Sequence, residues 1–145
     1  MKILNKKALH NYHIIERIEA GIVLTGGEVK SIRGNRIDLG ESHVRILNGQ
    51  ALLINANIPP YQSANKDYDP QRSRKLLLHK AQINSLIGKV SKGGMAMVPV
   101  SIYEKSNRFK VEVGLGRSKK EFDKRKVIRE RDNLRRVEQE LRGKE

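Results

Sequence analysis

The chain has 145 residues, with 30 Lys and Arg against 16 Asp and Glu, and its formal net charge is +14. That length suits a single domain with its own core, and the absence of cysteine excludes disulfides and thiolate metal sites. No apolar run approaches the roughly 20 residues of a membrane span, and the N-terminal stretch lacks the apolar segment of a signal peptide, so we expect a soluble, cytoplasmic protein.

The excess of positive charge predicts a polyanionic partner, and nucleic acid is the abundant polyanion inside cells. Acidic lipid is the alternative. A membrane-binding helix would carry Trp, Phe or Leu along one face, whereas the basic C-terminal segment has few apolar residues and mixes acids with its bases. The composition therefore favours nucleic acid over a membrane.

The N-terminal part of the chain predicts a strand followed by a capped helix. Residues 9–24 are rich in Ile, Val, Leu and Tyr, which favours a strand. Thr25, with Glu28 three residues later, is typical of a capping box. A short helix should begin there and end at Gly34.

The middle of the chain predicts a hairpin and a loop. Asn48-Gly49 joins two apolar runs, and a tight type I′ turn prefers this dipeptide because both turn positions need positive φ. Residues 59–75 contain Pro, Ser, Asn and Asp without periodicity, so we expect a long loop that is only partly ordered.

The next segment predicts a helix and a second hairpin. The apolar spacing in residues 76–90 indicates a helix that Gly88 closes. The alternating stretch after it turns near Ser106 and Asn107, and its glycines at the end of the last strand indicate close packing or a bend.

These elements predict a mainly β fold. About five strands with two or three short peripheral helices form a small, closed, antiparallel barrel, for which the OB-fold is the expected type. The barrel should occupy residues 1–117 and a basic C-terminal tail residues 118–145.

The tail is either helical or disordered in the free protein. Its apolar stripe is too thin to bury much surface, so the tail pairs as a coiled coil or stays loose until something highly charged orders it. The stripe consists of Val127, Ile128, Leu134, Val137 and Leu141.

No local pattern indicates an enzyme, a cofactor or a metal site. The stretch GIVLTGGEVKS resembles the start of a phosphate-binding loop, but Gly27 stands where lysine is needed and Glu28 would repel phosphate. His10 and His13 would point to opposite faces of a strand and could not share a metal. Many bases with few aromatic residues suit the recognition of folded RNA by shape and phosphate position.

Three segments resemble the SsrA-binding protein family. They are NKKALHNYHIIERIEAGIVLTGGEVKSIR (5–33), RSRKLLLHKAQI (72–83) and GLGRSKKEFDKR (114–125). The resemblance implies an OB-type barrel with a basic tail that binds transfer-messenger RNA (SsrA RNA) in bacterial trans-translation and is not an enzyme. It further implies a second partner, the 70S ribosome, where the tail lies in the empty message channel near the decoding centre of the small subunit. We expect a monomer.

The resemblance assigns RNA binding to seven positions of the barrel. They are Asn5, Lys6, Tyr12, Glu19, Arg74, Lys75 and Leu77. Glu19 would repel phosphate, but it can accept hydrogen bonds from base edges or 2′-hydroxyl groups.

The resemblance also assigns the ribosomal role to six tail positions. They are Lys119, Lys120, Phe122, Asp123, Lys124 and Arg125. Phe122 stands where the family commonly has His or Tyr, so a stacking ring is kept and a hydrogen bond is lost. Ser118 stands where glycine is usual.

Two other classes of protein remain as alternatives. A ribosomal or ribosome-assembly protein would share the basic charge and the barrel, and selective affinity for transfer-messenger RNA would separate the two. A nuclease or RNA-modifying enzyme would cleave or alter structured RNA in a metal-dependent assay.

Overall fold

The computed structural model describes residues 1–62, 66–119, 135–136 and 139. The strands in this part of the chain are β1 (Lys2–Leu4), β2 (Tyr12–Ile22), β3 (His43–Leu47), β4 (Gln50–Ile54), β5 (Arg74–Leu77), β6 (Ala96–Lys105) and β7 (Arg108–Ser118). The helices are α1 (Lys6–Asn11), α2 (Gly26–Arg33) and α3 (Lys80–Ser91). The mainly β prediction with peripheral helices is confirmed, although seven strands replace the expected five. The predicted tail helix lies outside the described residues, apart from positions 118, 119, 135, 136 and 139.

The seven strands of the described residues belong to one antiparallel sheet in the order β1-β6-β3-β4-β5-β2-β7. β6 also pairs with β7, so the pairings run from β6 through β3, β4, β5, β2 and β7 back to β6. The core lies on the inner side of these strands and includes Leu53, Leu76, Ile102 and Val111, each at most 1% exposed. None of the described helices has the length and apolar composition needed to cross a bilayer.

Local sequence signals predicted α2 and both hairpins correctly. Thr25 accepts a hydrogen bond from the backbone N–H of Glu28 at 3.2 Å, and the Glu28 carboxylate accepts one from the Thr25 N–H at 2.9 Å, which completes the capping box. Asn48 and Gly49 have φ values of 51° and 74°, as the turn between β3 and β4 requires.

Three predicted elements were wrong in their bounds, and one of them is the loop expected over residues 59–75, whose last two residues belong to β5. The strand expected over residues 9–24 begins only at Tyr12, because Asn5 caps α1 by accepting a hydrogen bond from the Ala8 N–H at 3.2 Å. The helix expected over 76–90 begins at Lys80, because Leu76 pairs with β4 and β2 as part of β5. Gly88 lies inside α3 and does not close it.

The glycines of β7 permit close packing, as predicted. A Cβ atom at Gly116 would lie 2.5 Å from the carbonyl oxygen of His13, and one at Gly114 would lie 2.6 Å from Cγ2 of Val100. The neighbour of Gly116 is backbone, which cannot rotate away as a side chain can. Glycine at 116 is therefore required for the tight approach of β7 to β2.

Replacing Gly116 by alanine should lower the free energy of unfolding by about 1–3 kcal/mol, because the added methyl group overlaps the backbone of His13. Gly88 is the matched control, since a Cβ atom there meets nothing within 4 Å beyond its own helix. Gly88→Ala should stabilise α3 by about 0.5–1 kcal/mol. Urea unfolding followed by circular dichroism measures both variants, and wild-type stability of Gly116→Ala would contradict the close packing.

Candidate nucleic-acid interface

One outer face of the sheet carries a cluster of charged side chains, which we call the polar face. Directly paired residues of antiparallel strands point to the same side, so the register places this cluster across β1, β6, β7 and β2. Its members are Lys2, Arg17, Glu19, Tyr103, Lys105, Arg108, Lys110 and Glu112. Five cations thus surround two carboxylates.

Glu19 is held by side chains of β6. The hydroxyl group of Tyr103 donates a hydrogen bond to its carboxylate, and Nζ of Lys105 lies 3.4 Å from Oε1. The hydrogen bond from Tyr103 is the main cause that lowers the pKa of Glu19, and Lys105 and Lys110 lower it further. Burial and the bond to Glu19 raise the pKa of Tyr103 to about 12. At neutral pH Glu19 is therefore ionised and Tyr103 is a donor.

Glu112, the second carboxylate, has different partners. Arg17 donates a hydrogen bond to Oε1 at 2.8 Å, and the hydroxyl group of Ser101 donates one to Oε2 at 3.2 Å. Lys2 lies 3.8 Å from Oε2 and 6.0 Å from the ring centre of Tyr103. Both carboxylates of the polar face are thus paired within the protein.

Two further predicted residues lie beside the polar face on β5. Leu77 is 54% exposed and stands opposite Gly21, where a Cβ atom would lie only 3.1 Å from that of Leu77. Lys75 is also exposed, since the residues of β5 alternate between buried and exposed. The structure therefore brings Glu19, Lys75 and Leu77 to the same side of the sheet.

Arg74 and Asn5 lie in the interior. Arg74 is 0% exposed, and its guanidinium group donates to the carbonyl groups of Ala56 at 2.5 Å and Pro70 at 2.9 Å. Asn5 is 3% exposed and donates to the carbonyl groups of Leu39 at 3.0 Å and Pro99 at 2.8 Å. These side chains hold the scaffold and have no path to a surface ligand in this conformation.

Lys6 and Tyr12 lie elsewhere, around α1. Lys6 is exposed, and half-buried Tyr12 lines a groove of about 720 Å³ together with Lys7, His43 and Arg45. The predicted RNA-binding residues that reach the surface therefore fall in two places, the polar face with β5 beside it and the surroundings of α1, while Asn5 and Arg74 lie in the interior.

The predicted tail residues are almost all beyond the described part of the chain. Lys119 is exposed, and its Nζ donates to the carbonyl group of Leu9 at 3.3 Å, which joins the end of β7 to α1. The others lie outside the described residues, and they are Lys120, Phe122, Asp123, Lys124 and Arg125.

The sequence did not single out the other members of the polar face. Tyr103 and Lys110 face each other across β6 and β7, and Lys110 also faces Gly21 of β2. Alternation along each strand could have placed them on an exposed face, but only the register shows that they adjoin Glu19. Within the described ranges, no three His, Asp or Glu side chains converge as a metal site.

A buried ion pair supports this surface from inside. Glu28 of α2 is 1% exposed, and its Oε2 accepts from Nε of Arg74 at 2.8 Å and from the hydroxyl group of Tyr68 at 3.1 Å. Arg72 also binds the carboxylate. Burial alone would raise the pKa of Glu28, but the hydrogen bonds from Arg72, Thr25 and Arg74 outweigh it and lower the pKa to about 2.

The fold and its surface define a basic, mainly β protein with a charged face on its sheet. The family described as SmpB protein matches residues 2–143, and the chain belongs to that family. An SsrA-binding protein of Persephonella marina is 48% identical over 141 residues, which cover 97% of this chain and 93% of that protein. One of Shouchella clausii is 49% identical over 138 residues, covering 94% and 88%.

A solved structure shows the same similarity. Its chain, from "tmRNA-SmpB: a journey to the center of the bacterial ribosome", is 42% identical, with a TM-score of 0.69 over 81% of this chain and 84% of that one.

The pair between Glu28 and Arg74 should make stability depend on pH. The pKa of Glu28 falls from an ordinary value of 4.5 to about 2 on folding. Its contribution to the free energy of unfolding is therefore complete above the ordinary pKa of 4.5 and is lost as the pH falls towards the folded-state pKa of about 2. Glu28→Gln should cost about 3–5 kcal/mol at pH 7, because it leaves a buried guanidinium group without its counter-charge.

Urea unfolding of both proteins between pH 3 and 7 tests this. The difference in unfolding free energy should shrink below a pH of about 4.5, where Glu28 begins to be protonated in the unfolded wild type while it stays ionised in the folded protein. Glu104→Gln is the control, since the pair of Glu104 with Arg33 is partly exposed to solvent, unlike that of Glu28 with Arg74, and should contribute under about 1 kcal/mol. A difference that stays constant with pH would contradict the lowered pKa.

Proposed function

We propose that the protein binds the tRNA-like domain of transfer-messenger RNA and delivers it to stalled ribosomes for trans-translation. The observation that carries this function is the family match over residues 2–143. It is supported by relatives named SsrA-binding protein and by a solved neighbour described with transfer-messenger RNA and the bacterial ribosome. The role is binding and not catalysis, and it is carried out in the cytoplasm, where ribosomes work.

The barrel is the proposed RNA-binding domain. The ring of pairings from β6 around to β7 and back supports an OB-type closed barrel over residues 1–117. A barrel positions side chains from distant segments on one rigid face, which recognition by shape requires. We assign the polar face, with Lys75 and Leu77 beside it, as the RNA-binding surface.

The charges of the polar face suit this ligand. Its cations attract phosphates without regard to sequence, and the net charge of +14 adds a long-range attraction. The ionised carboxylate of Glu19 repels phosphate and acts only as a hydrogen-bond acceptor. The donors that RNA can offer it are 2′-hydroxyl groups and base amino groups. The face therefore favours an RNA surface that presents donors at Glu19 and phosphates around it.

The other predicted RNA-binding residues have different roles in the proposed function, and they are Asn5, Arg74, Lys6 and Tyr12. Asn5 and Arg74 act by holding α1 and β5 in place. Tyr12 contacts RNA from the groove beside α1 and Lys6 from the exposed surface of that helix, on a second part of the surface.

The basic tail, residues 118–145, is proposed to act on the ribosome. Lys119 and Lys120 lead from the barrel to Phe122 and to the acid-base run Asp123, Lys124 and Arg125. In the proposal this stretch enters the empty message channel near the decoding centre, where phosphates bind the basic residues and the ring of Phe122 stacks.

Glu19→Gln should weaken binding of the tRNA-like domain by about 10- to 100-fold, because it removes a charged acceptor. The measurement is fluorescence anisotropy of labelled RNA at fixed ionic strength. Glu104→Gln is the control, since Glu104 follows Tyr103 on β6 and faces the opposite side of the sheet. Wild-type affinity of Glu19→Gln would remove Glu19 from the interface.

Truncation after Lys120 should leave RNA affinity nearly unchanged and abolish peptide tagging on stalled ribosomes. The reason is that the tail, and not the barrel, is proposed to signal that the message channel is empty. A truncation after Gly143 serves as the control, because the family match ends at that residue. Normal tagging by the shorter protein in a reconstituted translation assay would refute the role of the tail.

A further inference from the structure

Two carboxylates of the polar face stand directly opposite each other. Glu19 of β2 and Glu112 of β7 are register partners. Like charges in such a pair repel and destabilise the sheet, so each carboxylate needs its own compensation. This arrangement requires Glu19 and Glu112 to turn away from each other.

The two side chains find separate partners. Glu112 turns to Arg17 and Ser101, at 2.8 Å and 3.2 Å. Glu19 turns the other way, over β7, to the hydroxyl group of Tyr103 on β6. Because β6 and β2 lie on opposite sides of β7, the bond between Tyr103 and Glu19 crosses a whole strand.

We propose that Tyr103 is a positioning residue of the RNA site, whose hydroxyl group fixes the carboxylate of Glu19 for hydrogen-bond donors of the RNA. The inference rests on the proposed function and adds to it the group that orients the acceptor. Without the hydroxyl group, Glu19 would keep only the longer contact with Lys105 and would rotate more freely, and ordering it again would reduce the affinity for RNA.

The surroundings of Tyr103 suit this task. The ring is half-buried, which limits its movement, and the ammonium group of Lys2 lies 6.0 Å from its centre. Lys105 lies 3.4 Å from the other oxygen of Glu19 and holds the carboxylate from a second direction. Each carboxylate oxygen can accept more than one hydrogen bond, so the exposed side of Glu19 can still receive a 2′-hydroxyl or base amino group.

The test is a double-mutant cycle with Tyr103→Phe and Glu19→Gln, using the tRNA-like domain as the probe. Tyr103→Phe keeps the ring and removes the hydroxyl group, and it should weaken binding about threefold to tenfold. The double variant should bind no more weakly than Glu19→Gln alone, because Tyr103 acts only through Glu19. Tyr61→Phe is the matched control, since the ring of Tyr61 also lies near a lysine, Lys30 at 5.3 Å, and should retain wild-type affinity.

The carboxyl titration of Glu19, followed by carbon NMR in the free protein, is the second readout. Tyr103→Phe should raise the pKa of Glu19, because it removes the main cause that lowers it. The groups that face Glu19 are unchanged by the substitution, and they are Lys105, Lys110, Arg17 and Glu112. An unchanged titration would show that Tyr103 does not bind the Glu19 carboxylate in solution.

Three results would overturn the inference. If Glu19→Gln weakens binding and Tyr103→Phe does not, Tyr103 does not position Glu19, while the proposed function stands. If the two losses multiply in the double variant, Tyr103 contacts RNA by itself. If neither variant changes affinity, the assignment of Glu19 to the interface fails as well.

Glu19→Asp tests the inference with Tyr103 intact, in case Tyr103→Phe does not fold. The shorter side chain keeps the charge but withdraws the carboxylate from the hydroxyl group. It should weaken binding severalfold, as Tyr103→Phe does. Wild-type affinity would show that the fixed position of the carboxylate is not required.

Discussion

A buried ion pair determines which side chains of β5 reach the surface. Glu28 on α2 and Arg74 on β5 are 46 residues apart in sequence, and the guanidinium group of Arg74 also binds two backbone carbonyl groups. This ion pair strongly favours the inward position of the guanidinium group, because a charge left unpaired inside the protein costs about 3–5 kcal/mol. With Arg74 facing inward, Lys75 and Leu77 cannot share its side of the strand. The interior charge thus specifies the orientation of β5 and, with it, one border of the polar face.

In the proposed function, the polar face both attracts RNA and discriminates between different RNAs. A surface made only of lysine and arginine would bind any RNA, since phosphate contacts carry no sequence or shape information of their own. In the proposed function, Glu19 and Glu112 reduce this non-specific affinity, and Glu19 accepts only a donor brought to the correct position. Specificity then depends on a clash with wrong partners as well as on contacts with the right one. The register of β2, β7 and β6 is what gathers these opposite charges within one cluster.

The sequence predicted correctly those elements whose formation depends only on neighbouring residues. The capping box of Thr25 and the Asn48-Gly49 turn need only neighbouring residues, and both were confirmed. β5 was missed because the strand state of Leu76 depends on pairing with β4 and β2, which residue periodicity does not show. Family resemblance assigned Glu19 to the site, but Tyr103 is 84 residues away and no spacing rule connects them. Nor does residue type reveal that Arg74 lies inside while Lys75 next to it lies outside.

The central claim is that transfer-messenger RNA covers the polar face and the adjoining part of β5. Lysine acetylation of the full-length protein, with and without the tRNA-like domain and read by mass spectrometry, tests it most directly. RNA should protect Lys105 and Lys75 and leave Lys80 and Lys92, at the two ends of α3, as reactive as in the free protein. All four lysines are exposed without RNA. Unchanged reactivity at Lys105 and Lys75, with protection at Lys80 and Lys92, would contradict the assignment of this face.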